Sequence, residues 1–212
     1  MIVVINPNST TAMTQSIGEA ARRAVRGVRI EAWTSHDGPA AIEGPEDGAA
    51  CVPPLLELVQ KASDNGAGAI VIGCSDDTGL PEARELAECP VIGIGQAGYH
   101  LAALAGPRFS VVTTLPVSIP ILEANIAAYG FSDALVRVRA AGVPVLDLEN
   151  NRSVATARVL EEADRAAEED GVQSVVLGCA GMSHIPEEAP PGLKLRLIDG
   201  VAAATRIAAA LQ

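Results

Sequence analysis

The sequence predicts an α/β fold of two similar lobes, each a four-stranded parallel sheet flanked by helices. Three observations carry this. Short β-rich runs alternate with longer Ala-rich stretches of helical periodicity along the 212 residues. Several runs are apolar at almost every position, as strands buried on both faces of a parallel sheet are. The chain also repeats itself weakly. Gly68-Ala-Ile-Val-Ile-Gly-Cys74 resembles Gln173-Ser-Val-Val-Leu-Gly-Cys179, with the cysteines 105 positions apart, and Ile2-Val-Val-Ile-Asn6 resembles Phe109-Ser-Val-Val-Thr113.

The expected strands are residues 2–5, 28–33, 69–72, 91–94, 109–112, 135–138, 174–177 and 195–198. The expected helices are residues 10–25, 49–62, 81–87, 96–105, 116–129, 153–169 and 201–211. Ser9 or Thr10, Pro81 and Pro116 supply start signals, because a short hydroxyl caps free N–H groups and proline fits a first turn that loses no hydrogen bond. Pro53 and Pro54 work against the start of the second helix. The repeat splits the strands four and four. Residues 1–97 are expected to form the first lobe and residues 98–198 the second, with the last helix, inside 199–212, returning to the first. No flexible linker separates the halves, which predicts tight docking.

Composition narrows the function classes. Hydrophobic residues make up 49% of the chain, enough for a core without disulfides or metal. Aromatic residues are 2%, which leaves few stacking platforms for bases or sugars. A net charge of −11 with no local basic patch argues against a nucleic-acid partner. The longest apolar runs are of strand length, so no membrane span is expected, and the opening residues read as a strand rather than a leader. Four cysteines without CxxC spacing suggest neither a disulfide framework nor a zinc site. No GxGxxG or P-loop motif occurs, and no metal or organic cofactor is expected. The expectation is a cytoplasmic homo-oligomer whose partner is a small-molecule substrate.

In a parallel sheet, ligands bind beyond the carboxyl ends of the strands. Four such ends are chemically suggestive: Asn6-Pro7-Asn8-Ser9-Thr10, Gly73-Cys74-Ser75-Asp76-Asp77, Thr113-Thr114-Leu115-Pro116 and Gly178-Cys179-Ala180-Gly181-Met182. Each begins a turn whose free N–H groups suit an anionic oxygen. Cys51 and Cys89 read as core residues. Cys74 and Cys179 differ from them by beginning equivalent turns. Asn8, Ser9 and Thr10 fit a helix cap as well as a binding turn, and Thr113 and Thr114 fit a strand end as well as a ligand contact. Asp76 and Asp77 read as caps of the helix that follows them. His184 reads as a surface or packing residue, His36 and His100 have no partner pattern, and the run 161–165 reads as a solvated helix face.

Together these residues resemble the hydantoin racemases, a family that includes allantoin racemases and belongs to the wider aspartate/glutamate racemase superfamily. The resemblance rests on Ile5-Asn6-Pro7-Asn8-Ser9-Thr10, Gly73-Cys74-x-Asp76-Asp77-x-Gly79-Leu80, Pro90-Val91-Ile92-Gly93-Ile94, Arg108 to Thr114, and Gly178 to Met182, in the family's order. It implies an active site in a cleft between the lobes, with Cys74 and Cys179 facing each other across the substrate as acid and base. It also implies that Asn8, Thr113 and Thr114 bind substrate oxygens, helped by backbone N–H groups around Ser75, Ala180 and Gly181. Ser75 stands where many hydantoin racemases carry a bulky aromatic. Relatives that racemise free amino acids typically have Asn-Thr after the first cysteine and Thr-His after the second, which this chain lacks. Arylmalonate decarboxylases keep only one of the two cysteines.

The chemistry implied is cofactor-independent proton abstraction from one face of a carbon and return to the other. A thiol, with a reference pKa of about 8.5, reaches both protonation states near neutrality, and a helix N-terminus is expected to lower it further. Donors around the enolate oxygen, each worth on the order of 3 kcal/mol, would stabilise the carbanion. The alternatives are an amino-acid racemase or maleate-type isomerase, and a two-lobed small-molecule binding protein without activity.

Overall fold

The computed structural model describes residues 1–212. The first half runs β1 (Ile2–Asn6), α1 (Thr11–Ala24), β2 (Ile30–Thr34), α2 (Pro45–Asp64), β3 (Ala69–Ile72), α3 (Leu80–Leu86), β4 (Val91–Gly93) and α4 (Ile94–Ala105). The second runs β5 (Phe109–Thr113), α5 (Ile119–Ala128), β6 (Leu135–Ala140), α6 (Asp147–Asn150), α7 (Arg152–Glu169), β7 (Ser174–Leu177), α8 (Ile185–Glu188), β8 (Arg196–Asp199) and α9 (Gly200–Ala210). Two all-parallel sheets result, ordered β2-β1-β3-β4 and β6-β5-β7-β8.

The uniformly apolar runs become the central strands. Every residue of β1, β3, β5 and β7 is buried. Successive side chains alternate between faces. Thus Ile2 and Val4 pack with α1 and α9, while Val3 and Ile5 pack with α2 and α3. In the second sheet Val112, Val175 and Leu177 meet α7, while Phe109, Val111 and Val176 meet α4 and α5. The repeat holds in hydrogen bonding. Gly73 N–H donates to the Ile5 carbonyl at 2.8 Å, and Gly178 N–H donates to the Val112 carbonyl at 2.8 Å. Cys74 and Cys179 therefore leave their sheets at equivalent points, where chain order reverses between neighbouring strands and ligand crevices open.

Two helices lie along the seam. α4 follows β4, yet its Tyr99 and Ala102 pack in the second sheet's core while its Ile94 and Ala97 pack in the first. α9 follows β8 and packs on the first sheet and on α4. Glycine permits this closeness: a Cβ on Gly200 would lie 2.5 Å from the Ile94 carbonyl oxygen.

Two element boundaries differ from expectation for physical reasons. α2 begins at Pro45 and contains Pro53 and Pro54. The carbonyls these prolines leave unpaired belong to the exposed Ala49 and Ala50, where water can satisfy them. β6 runs past the expected end at residue 138, through Arg139 to Ala140. The buried Arg139 guanidinium is held there by Asp170 at 2.7 and 2.8 Å, Glu169 at 2.8 Å and Glu162 at 3.0 Å. α5 begins three residues later than expected, after a 3-10 turn over Pro116–Ser118, and the remaining ends shift by a residue or two, as strand and helix ends commonly do.

Candidate active site

The carboxyl ends of β1, β3, β5 and β7 converge on one small cavity between the sheets, with about 380 Å³ of space including its mouth. Of the residues singled out in the sequence, Asn8, Cys74, Ser75, Thr113, Thr114, Cys179 and Ala180 line it. Gly181 does not. It lies behind the wall, where a Cβ would be 2.8 Å from the Leu148 side chain. The sequence reading missed Met13, Ile42, Ser118 and Val145, which also line the cavity. Ile42 and Val145 lie past the ends of β2 and β6, so the strand-end rule extended to the outer strands would have found them.

Cys74 sits at the start of a tight turn in which Asp77 N–H donates to the Cys74 carbonyl at 3.1 Å. Asp77 is the one non-glycine residue with a left-handed backbone, at φ 49°, a conformation Asp tolerates better than most. Its side chain does not cap α3, the helix that follows, as the sequence suggested. It caps α4 instead, accepting Gly95 N–H at 3.0 Å and Gln96 N–H at 2.7 Å, and the Tyr129 hydroxyl at 3.0 Å. This explains Gly93 and Gly95, because a Cβ on the first would overlap the Asp77 carboxylate and one on the second the Ser75 carbonyl. Asn125 Nδ2 donates to the Asp76 carbonyl at 2.7 Å. The Cys74 turn is thus fastened to α4 and α5. Asp76, expected as a cap, instead lines the cavity.

Cys179 opens a single 3-10 turn, Ala180–Met182, in which Met182 N–H donates to the Cys179 carbonyl at 3.0 Å. Both thiols depart from the acidity expected of a turn N-terminus. Burial pushes Cys179 up to about 12 despite the Gly181 N–H, which pulls the other way, and the Asp76, Glu43 and Glu149 carboxylates add to the rise. Cys74 is raised well above its usual value, first by burial and then by Asp76, with the Cys179 sulfur also contributing. Desolvation and like charge outweigh the backbone dipoles here. Burial also lifts Asp76 to about 6.

The polar residues divide. Asn8 Oδ1 accepts Asn6 Nδ2 at 2.8 Å and Thr10 N–H at 3.0 Å, while its own Nδ2 meets only the Met13 sulfur at 3.2 Å. A thioether is a weak acceptor, so that amide can turn to a ligand, while its oxygen supports the start of α1. Asn6, at the hub of this network, is fully buried and also donates to Thr14 Oγ1 at 3.0 Å. The Thr113 hydroxyl donates to the Gly178 carbonyl at 3.2 Å and ties β5 to β7. The Thr114 hydroxyl has no such tie, and Thr114 lines the cavity. His184 is buried against Thr156 Oγ1 at 3.0 Å, outside the cavity lining.

This arrangement places two thiols from equivalent turns on one cavity, with hydroxyl, amide and backbone donors beside them. Known proteins resemble this chain in sequence and in fold. A hydantoin racemase of Rhizobium meliloti is 43% identical over 99% of this chain and 88% of its own length. An allantoin racemase from Klebsiella pneumoniae has a structure matching at TM-score 0.96, with 39% identity, over 99% of this chain and 86% of that one. A glutamate racemase from Francisella tularensis, at TM-score 0.72 and 19% identity over 99% of this chain and 80% of that one, shares the fold. The model of the Asp/Glu/hydantoin racemase family matches residues 2–208, and the chain belongs to that family.

Proposed function

We propose that this racemase acts on hydantoin- or allantoin-type substrates, with Cys74 and Cys179 exchanging acid and base roles across one carbon. The observation that carries the reading is the delivery of both cysteines to a single cavity by matched Gly-Cys turns. One sulfur, as thiolate, takes the proton from the carbon beside the ring carbonyl. The C–H electron pair moves into that carbonyl as an enolate, and the other thiol protonates the opposite face. The proton has then changed sides and the thiolate has changed residues. Thr114, the Asn8 amide and the N–H groups around Ser75 and Ala180 hold the enolate oxygen. The raised thiol pKa values suit this chemistry, since each unit of basicity gained brings the base about 1.4 kcal/mol closer to a carbon acid. The cost is a scarcer thiolate.

Ser75-Asp76 and Ala180-Gly181 after the two cysteines favour a ureide over a free amino acid. The lobes in this reading are residues 1–97 with 199–212 and residues 98–198. The change of core within α4, between Ala97 and Tyr99, supports that division.

Cys74→Ser and Cys179→Ser test the mechanism on the separated enantiomers of a 5-alkylhydantoin in D₂O. Each variant should lose racemisation, read by circular dichroism, by about 10²–10⁴-fold, the usual weight of a positioned acid or base. Each should still exchange the α-proton of one enantiomer with retention, read by NMR, and the two variants should prefer opposite hands. Exchange of the same enantiomer by both, or racemisation near the wild-type rate by either, would overturn the two-thiol mechanism.

A further inference from the structure

The inner cavity adjoins a larger pocket of about 1340 Å³, and Asp76 lines both. The division between the two spaces is sharp in sequence. Ile42 and Ser118 face inward, while Gly44 and Val117 face outward. Gly44 and Val117 nearly touch across the lobes. Gly44 has φ +133°, and a Cβ there would lie 3.1 Å from the Val117 side chain. The outer pocket is mainly apolar. Ala49 and Val52 of α2 line it from the first lobe, and Pro120, Ile121 and Ala124 of α5 from the second. Its two charged lining residues, Asp76 and Glu82, are both acidic, and no Lys, Arg or His joins them.

We propose that this outer pocket is the subsite for the substituent on the reacting carbon, taking a neutral alkyl or aralkyl group and rejecting an anionic one. The inference rests on the racemase reading above. The inner cavity holds the thiols and donors that a planar ring needs, and it has little room for more. A substituent on the ring passes Asp76 into the outer pocket, where Ala49, Val52, Ile121 and Ala124 give it apolar walls. A carboxylate-bearing substituent meets Asp76 and Glu82 with no cation to offset them, and the repulsion is felt most at the half-buried Asp76, where salt and water screen it less than at the exposed Glu82. The same two carboxylates disfavour free aspartate and glutamate.

The test measures kcat/KM by circular dichroism for 5-methyl-, 5-benzyl- and 5-carboxymethylhydantoin on the full-length wild type and three variants. Ala49→Phe and Ala124→Phe fill the outer pocket from opposite lobes, at exposed helix positions that tolerate a larger side chain. Each should lower the benzyl-to-methyl ratio of kcat/KM by at least about tenfold, the scale of a misfit in an apolar subsite. Glu82→Lys should raise the carboxymethyl-to-methyl ratio. Benzyl-to-methyl ratios within about twofold of wild type in both Phe variants would overturn the proposal. So would a wild type that takes the carboxymethyl compound as readily as the benzyl one. Loss of an oligomer in either Phe variant with the ratios unchanged would assign Val117 and Ile121 to contact with a second copy, and would also overturn it. A wild type that racemises none of the three compounds defeats the function reading itself, a result distinct from racemisation with unchanged ratios.

Discussion

Burial makes a thiol a reluctant acid and its thiolate a stronger base, and both effects meet at Cys74 and Cys179. With both pKa values raised, the fraction of free enzyme carrying one thiolate grows with pH across the neutral range. The slope of kcat/KM should therefore be positive from about pH 6 to about pH 9 without a plateau, because that parameter reports the free enzyme's groups. Asp76 adds to the rise at both sulfurs, so Asp76→Asn should shift the profile to lower pH. A wild-type plateau above about pH 6, where Asp76 itself titrates, would instead make that carboxylate the base. The equivalent placement of the two cysteines was legible because the motif occurs twice. Their acidity was not, because it depends on burial and on Asp76, Glu43 and Glu149.

Among the elements, the Cys74 turn depends most on a partner far along the chain. Asp77 joins it to the first turn of α4 and to Tyr129 after α5. Asp77→Ala removes three hydrogen bonds and uncaps α4, so unfolding free energy in urea should fall by about 1–3 kcal/mol. Because the same residue holds Ser75 and Cys74 in place, kcat/KM should fall with it. Stability lost at unchanged kcat/KM would make Asp77 a support of α4 alone. Sequence rules assign such an aspartate to the next helix, which is how α3 was chosen. The helix that receives the carboxylate lies 18 and 19 residues away at Gly95 and Gln96, beyond the reach of any local pattern. Gly93 was visible within the family motif, but the reason for it and for Gly95 is the Asp77 carboxylate and the Ser75 carbonyl.

Across the whole molecule, the halves meet along the α4–α9 seam, at the hydrogen bonds from Asn125 and Tyr129 to the Cys74 turn, and at a latch over the cavity. Glu43 Oε1 accepts Val145 N–H at 2.6 Å, and Asp47 Oδ2 accepts Glu43 N–H at 2.9 Å. The neighbours on each side, Ile42 and Val145, line the cavity. Glu43→Ala should loosen the mouth and speed alkylation of the thiols by iodoacetamide on the order of tenfold, the equivalent of a charge-assisted hydrogen bond. Glu43→Gln keeps an acceptor oxygen but removes the charge that raises Cys179, and should alkylate more slowly than Glu43→Ala. Equal rates in the two variants would assign the effect to charge, and the latch would play no part.

The sequence by itself determined the two parallel α/β sheets, the central strands, and the pairing of Cys74 with Cys179 at equivalent turns. These follow from apolar periodicity and from a repeat, which are local properties of the chain. Only the tertiary structure decided that Asp76 faces the cavity, that Asp77 caps α4, that Ile42 and Val145 close the site, and that both thiols are raised rather than lowered. Each of these depends on groups brought together from distant segments, 102 positions apart for Glu43 and Val145. Desolvation and charge act through space, so neither could be read along the chain.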